Sequence, residues 1–161
     1  MQIEYEQLSD WEKIEFLKQI EFNEQPNKWK LISTIITNSE EFDLVRIEAL
    51  KILEIASFAQ SDKEIVSQSL LWVLRHEKDY DVRNYAACAA INFTEYMDIQ
   101  KEIINGVLDI HEDIDIRYAF FSALEVMPNS IKSDVLQRLQ TDKVLGKSAI
   151  RNIKDNDNKP G

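Results

Sequence analysis

Two His-Glu pairs are the first residues in this sequence whose types and spacing suggest chemistry. His76 is followed by Glu77 and His111 by Glu112, and each pair comes shortly before a Val-Arg or Ile-Arg dipeptide. Imidazole and carboxylate groups are ligands of transition metals. A His at the C-terminal end of a helix is also stabilised by the helix dipole, which explains the repetition without a metal. We favour that second interpretation and predict neither a metal nor a cofactor.

Other candidates for catalysis are weaker. Cys88 lies in a run of alanines, with no neighbouring His or base to lower the pKa of its thiol, so we expect it to pack in a core. The carboxylates of Glu40 and Glu41, or of Asp113 and Asp115, could share acid–base work. At predicted helix starts they are more simply caps. We therefore predict no catalytic residues.

Composition limits the classes of protein further. The chain has 161 residues, of which 44% are hydrophobic, enough for one domain with a core. The counts of 3 Gly and 3 Pro argue against a turn-rich β fold and a glycine-rich phosphate loop. A single Cys excludes a disulfide framework and a cysteine-based zinc site. The sequence predicts no signal peptide and no spanning helix, so we expect a cytoplasmic protein without membrane contact.

The chain is strongly acidic, and its charged residues are unevenly distributed along the sequence. There are 29 acidic against 19 basic residues, for a net charge of −10. Residues 1–120 carry a large excess of acid, whereas residues 121–161 carry a slight excess of base. Nucleic acid is therefore not expected as a direct ligand, because phosphate binding needs a basic face. The excess Asp and Glu residues either only keep the surface soluble, or they form a binding face for a basic partner.

Apolar residues recur at helical spacing along almost the whole chain, which predicts an all-α fold. In the first helix we expect Trp11, Ile14, Leu17 and Ile20 to face inward. We predict one domain over 1–153 and a polar C-terminal tail over 154–161. The nine predicted helices cover about 9–22, 28–38, 41–59, 62–76, 81–96, 99–111, 115–127, 130–139 and 143–153.

Alternate helices begin alike, which indicates an internal repeat. Arg46, Arg83 and Arg117 each follow an Asp and a Val or Ile, and a fourth helix carries Gly146 in the corresponding position. A small residue follows the Arg by three positions, except at Phe120. These motifs resemble the HEAT repeat, an armadillo-like helical pair. The resemblance covers about 28–153 and implies a short right-handed α-solenoid.

The Arg residues begin their helices, where nearby aspartates are within reach. We therefore expect stacked repeats to form a ladder of Asp and Arg side chains. Its predicted members are Asp43, Arg46, Asp79, Asp81, Arg83, Asp113, Asp115 and Arg117.

In HEAT proteins the Val-Arg helices line the concave side, so the resemblance also implies a binding face. We call the residues expected there the predicted stripe: Glu48, Lys51, Glu54, Asn84, Tyr85, Tyr118, Ser122 and Glu125. Four aspartates in the turns before these helices form a predicted acidic rim: Asp79, Asp81, Asp113 and Asp115. Tyr supplies rigid amphipathic contact area. The two Tyr residues of the stripe either contact a partner or pack between neighbouring helices.

Small size, acidity and HEAT-like helices together resemble bacterial immunity proteins of polymorphic toxin and contact-dependent growth inhibition systems. This resemblance implies a non-catalytic inhibitor that binds one cognate protein toxin domain, one to one. A basic nuclease is the expected toxin, and an EndoU-type RNase is one candidate. Two alternatives remain open: a HEAT-type scaffold or adaptor for other cellular proteins, and a metal-dependent HEAT-like enzyme that uses the His-Glu pairs.

Overall fold

The computed structural model describes residues 2–23 and 25–157, and within these ranges all regular secondary structure is helical. One more α-helix is present than predicted, because α1 precedes the first predicted helix. The described residues form ten α-helices and one 3-10 helix, η1: α1 (Gln2–Glu6), α2 (Asp10–Ile20), α3 (Lys28–Thr37), α4 (Asp43–Ile55), α5 (Gln60–His76), α6 (Tyr80–Ala89), η1 (Ala90–Phe93), α7 (Met97–Leu108), α8 (Ile114–Val126), α9 (Asn129–Leu139) and α10 (Gly146–Asp157).

Helix boundaries follow local signals in the sequence. At the start of α2, the Glu12 carboxylate accepts hydrogen bonds from the backbone N–H and the hydroxyl of Ser9, at 2.9 and 2.6 Å. Asn27, just before α3, has a φ of 63°, in the left-handed region that Asn tolerates better than most residues. The last helix continues to Asp157, four residues into the segment predicted as a tail, and 158–161 lie outside the described residues.

The helices pack in two series. In one series α3 contacts α5, α5 contacts α7, and α7 contacts α9. In the other, α2 contacts α4, α4 contacts α6, and α6 contacts α8. Successive helices also pack as pairs, α3 with α4, α5 with α6, α7 with α8 and α9 with α10. A single cluster of buried apolar side chains runs between them, from Tyr5 to Ala149. No helix among the described residues is long and apolar enough to cross a membrane.

Two departures from the repeat have a steric cause. A Cβ atom on Gly106 in α7 would lie 2.3 Å from the ring of Phe120 in α8, so the missing side chain makes room for the large one. A Cβ atom on Gly146 would lie 2.7 Å from the backbone oxygen of Gln140. The close approach of these two chain segments excludes an Arg at position 146.

The predicted inner stripe of α2 is wrong at one position. Ile14, Leu17 and Ile20 are buried, but Trp11 is 66% exposed. A step of three residues turns an α-helix by about 300°, which is about 60° short of a full turn. Three such steps place Trp11 about 180° from Ile20, so the four side chains cannot share one face. Trp11 therefore points away from the core.

Candidate functional site: an acidic rim on an ion-paired helix stack

A ladder of ion pairs joins consecutive helix pairs. Arg46 at the start of α4 pairs with Glu77 at the end of α5, and Arg83 in α6 pairs with Glu112 before α8. Arg117 in α8 pairs with Asp142 before α10, at 2.7 Å. Each cation therefore reaches an acid that belongs to the next pair. The ladder fixes the position of one pair on another.

A Lys takes the place of Arg at the first step of this ladder. The ammonium of Lys13 in α2 lies 2.9 Å from Glu41, the acid before α4. The hydroxyl of Tyr5 donates to the same carboxylate at 3.0 Å. Lys13, Glu41, Glu77, Glu112 and Asp142 were not expected to act in this way. The signal was in the sequence, since an acid precedes each of the three Arg by five or six residues.

The ladder acids also order the turns that carry them. One oxygen of Glu77 accepts from the backbone N–H of Lys78 and of Asp79, at 2.8 and 2.9 Å. Asp142 does the same for Val144 and Leu145. Burial acts to raise the pKa values of Glu77 and Asp142. Hydrogen bonds from these N–H groups and from the Arg partners outweigh burial, so both pKa values lie below their usual range.

The predicted ladder partners are therefore wrong for most aspartates. Asp43 does lie near Arg46, with 3.6 Å between charged atoms. Asp79 instead caps α6 by accepting from the backbone N–H of Val82, and Asp113 caps α8 by accepting from that of Asp115. A carboxylate used in this way is held over its own helix N-terminus. Neither Asp79 nor Asp113 forms an ion pair with an Arg among the described residues.

The acidic rim is instead linked through a tyrosine. The hydroxyl of Tyr80, at the start of α6, donates to the carboxylate of Asp115 in α8 at 2.8 Å. This hydrogen bond, together with burial and the charges of Asp113, Asp115 and Asp81, raises the pKa of Tyr80 to about 12. The charges of Asp81, Asp113 and Asp115 all act on this hydroxyl, so the starts of α6 and α8 are linked at Tyr80. Within the described residues, none of the four rim aspartates has a Lys or Arg partner.

The stripe residues reach the surface, although several contact a neighbouring helix. Glu48 and Lys51 pair within α4 at 3.3 Å, and the Lys51 ammonium lies 5.4 Å from the ring centre of Tyr85 in α6. Tyr85 is half-buried and packs against the core, as one of the two open interpretations expected. Asn84 is also half-buried, and Glu54 is exposed.

The part of the stripe on α8 contacts α10 and the turn before it. The exposed Tyr118 donates to the backbone oxygen of Val144 at 3.3 Å. Glu125 accepts from the amide of Asn152 at 2.9 Å. The hydroxyl of Ser122 donates to the backbone oxygen of Tyr118 at 3.1 Å. Tyr118 and Glu125 therefore link α8 to the chain that follows it, whereas the hydrogen bond of Ser122 stays within α8.

The side chains that suggest a metal site or a catalytic thiol make other contacts in the structure. His76 stacks on Trp72 with 5.0 Å between ring centres, and its Nδ1 lies 2.8 Å from the backbone oxygen of Trp72. Glu77 faces Arg46 in the ladder, so this His-Glu pair does not converge on one point. Burial raises the pKa of the Cys88 thiol, and the Glu54 carboxylate adds to the effect. Among the described residues no group of three or more His, Cys, Asp or Glu side chains is arranged to hold a metal ion.

Comparisons with models of protein families, with curated proteins and with solved structures find no match to this chain.

Proposed function

We propose that this chain is a non-catalytic inhibitor that binds a basic protein, most specifically an immunity protein for a nuclease toxin. Its helix pairs would stack as a short right-handed solenoid of HEAT-like type, in the cytoplasm. The two series of packed helices and the ladder that joins successive pairs support this arrangement. A stack fixed in this way can present a preorganised surface to a partner.

One observation carries the proposal: the ladder cations are paired with ladder acids, whereas the rim acids have no cationic partner among the described residues. Arg46 and Arg117 are buried in the ladder, and Lys13 and Arg83 are paired within it. The rim aspartates have no cationic partner among the described residues. The ladder pairs are neutral, so the net charge of −10 is carried by the rest of the chain, and the rim acids are part of that excess.

Such a surface suits the cationic cleft of a nuclease. The rim carboxylates would occupy positions that nucleic-acid phosphates take in the cleft, and complementary charge would speed association. The exposed Tyr118 on the same helix as Asp115 would add rigid contact area. An adaptor would instead bind several partners more weakly, and stoichiometry separates the two functions.

A neutralisation assay tests the proposal. The C-terminal region of the protein encoded immediately upstream is induced in cells, and growth is followed with and without this chain. We expect growth arrest that this chain relieves, and a one-to-one complex when both are purified. Growth arrest that continues in the presence of the folded chain would contradict the proposal for that pair.

Charge-removing variants locate the binding surface. Asp→Asn at Asp79, Asp81, Asp113 and Asp115 removes the rim charge, while Asn still caps a helix. A control changes four exposed acids away from the rim to their amides: Glu6, Glu64, Asp134 and Asp155. We expect the rim variant to lose rescue and the control to retain it. Equal rescue by both would exclude the rim as the contact surface.

A further inference from the structure

A second surface, separate from the rim, lies on α2 at the N-terminal end of the stack. Leu8, Trp11, Phe16 and Gln19 line an open concavity of about 380 Å³ together with two glutamates. The Trp11 ring is 66% exposed and meets the Phe42 ring edge-on, with 6.2 Å between ring centres. Exposed apolar surface that includes a Trp is typical of protein-binding sites.

The exposure of this surface is unusual for a helix near the end of the stack, where only the short α1 precedes it. Stacked helices need a polar outer face at each end, because no further helix covers them. The opposite side of α2 packs on the core through Ile14, Leu17 and Ile20. Trp11 plays no part in that core, and its edge-on contact with the partly exposed ring of Phe42 leaves most of its own side chain in solvent.

The acids around the concavity define the charge of its occupant. Glu12 and Glu15 line it directly, and Asp10 is exposed beside Trp11. Glu15 is paired with Lys18 at 2.8 Å, although both side chains stay largely exposed. Glu12 accepts hydrogen bonds from Ser9, which hold its pKa below the usual range and keep it ionised. An apolar floor with ionised carboxylates at its edge complements a segment that is both apolar and cationic.

We propose that the Trp11 surface docks a cationic amphipathic helix of a partner protein, with its apolar side on Trp11 and Phe16 and its Lys or Arg residues beside Glu12 and Glu15. The contact would resemble helix-in-groove recognition, with α2 and the preceding Leu8 supplying all of the lining residues. A second copy of the chain fits less well, since each copy carries a net charge of −10 and the copies repel. The inference does not depend on the partner being a toxin.

The experiment uses the full chain and a labelled amphipathic peptide of Leu and Lys at helical spacing, with binding followed by fluorescence anisotropy. We expect saturable binding that weakens with salt. Trp11→Ala should reduce affinity about 10-fold or more. Glu12→Gln with Glu15→Gln should weaken binding and remove most of its salt dependence. Circular dichroism verifies that each variant is folded, and Gln at position 12 keeps the cap.

Matched controls make the test decisive. Trp72, an exposed Trp on α5, is changed to Ala in the first control, and the rim variant serves as the second. Both should bind the Leu/Lys peptide as the parent chain does. An equal loss with Trp72→Ala or with the rim variant would overturn the proposal, as would unchanged binding by Trp11→Ala.

Two further outcomes would also overturn it. The first is equal binding of a peptide with Glu in place of Lys, because charge would then play no part. The second is self-association of the chain, measured by light scattering, that Trp11→Ala abolishes. In that case a second copy covers the surface.

Discussion

Gly106 in α7 lies directly against the ring of Phe120 in α8, so closely that a Cβ atom at Gly106 would come within 2.3 Å of Cδ2. Phe120 stands where the repeat has a small residue in its other members, and it is buried. The close packing of α7 and α8 therefore depends on the absence of a side chain at Gly106 and the presence of a large one at Phe120. At the equivalent positions of α4 and α6 the residues are Ala49 and Ala86, both small and buried.

Gly106→Ala should consequently destabilise the chain, although Ala is the better helix former. Overpacking of a core costs about 1–3 kcal/mol, against a gain of about 1 kcal/mol in helix propensity. Urea unfolding measures the free energy. The double variant Gly106→Ala, Phe120→Leu should recover part of the loss, since a smaller side chain then faces the new methyl group. Additive effects of the two changes would contradict this pairing.

The ladder predicts a graded cost for the loss of its acids. Arg46 is 2% exposed, so Glu77→Ala leaves a buried charge without its partner and should cost about 3–5 kcal/mol. The side chain of Arg83 is 31% exposed, so water replaces the missing carboxylate in Glu112→Ala, which should cost about 1 kcal/mol or less. Urea unfolding of the two variants checks the order. Equal losses would show that burial of the Arg does not set the cost.

Acid should weaken the ladder. The pKa values of Glu41, Glu77 and Asp142 are lowered in the folded chain, so these groups stabilise it fully above the carboxyl pKa of the unfolded chain. That stabilisation disappears as the pH falls through the folded pKa values, below about pH 4. The melting temperature should therefore drop in this range.

Glu77→Gln isolates one contribution to this pH dependence. The variant should be less stable than the parent at neutral pH, because Gln carries no charge to match Arg46. Its melting temperature should decline less between neutral and acid pH, since position 77 no longer titrates. Thermal melts of both chains across the acid range make the comparison, and parallel curves would exclude Glu77 as a contributor.

Tyr80 reports on the geometry of the rim. Its pKa of about 12 reflects the hydrogen bond to Asp115 and the surrounding carboxylates. Tyrosinate absorbance during alkaline titration, with Tyr80→Phe subtracted, gives this value. Asp115→Asn should move the pKa toward the ordinary value of about 10. An unshifted pKa in that variant would mean that the rim acids do not surround the hydroxyl.

The all-helical fold could be predicted from the sequence because the apolar period is strong and turns are marked by polar residues. The additional α1 was missed since Gln2–Glu6 is too short to display a period. The sequence predicts Trp11 in the core because it lies three residues before Ile14, in a regular series. Residues three apart nevertheless shift in direction around the helix, so the first and last members of the series face opposite ways. The cap at Asp113 could be predicted because it is a local contact at a helix start, and the use of the rim as a binding surface stays a proposal. The use of Glu77 and Glu112 by an Arg of another pair depends on tertiary contacts that spacing does not reveal.

The ladder has a consequence for the length of the molecule. Each ladder cation binds an acid of the following helix pair. Every helix pair therefore offers the same kind of acid to the pair before it. Excision of residues 78–112 would leave Arg46 facing Glu77 and Arg117 facing Asp142, with no orphaned charge. Duplication of the same segment would add one matched pair. In the last helix pair Gly146 stands in the place of the Arg, so no cation there lacks a following acid. Chains of different length could therefore arise by gain or loss of whole helix pairs.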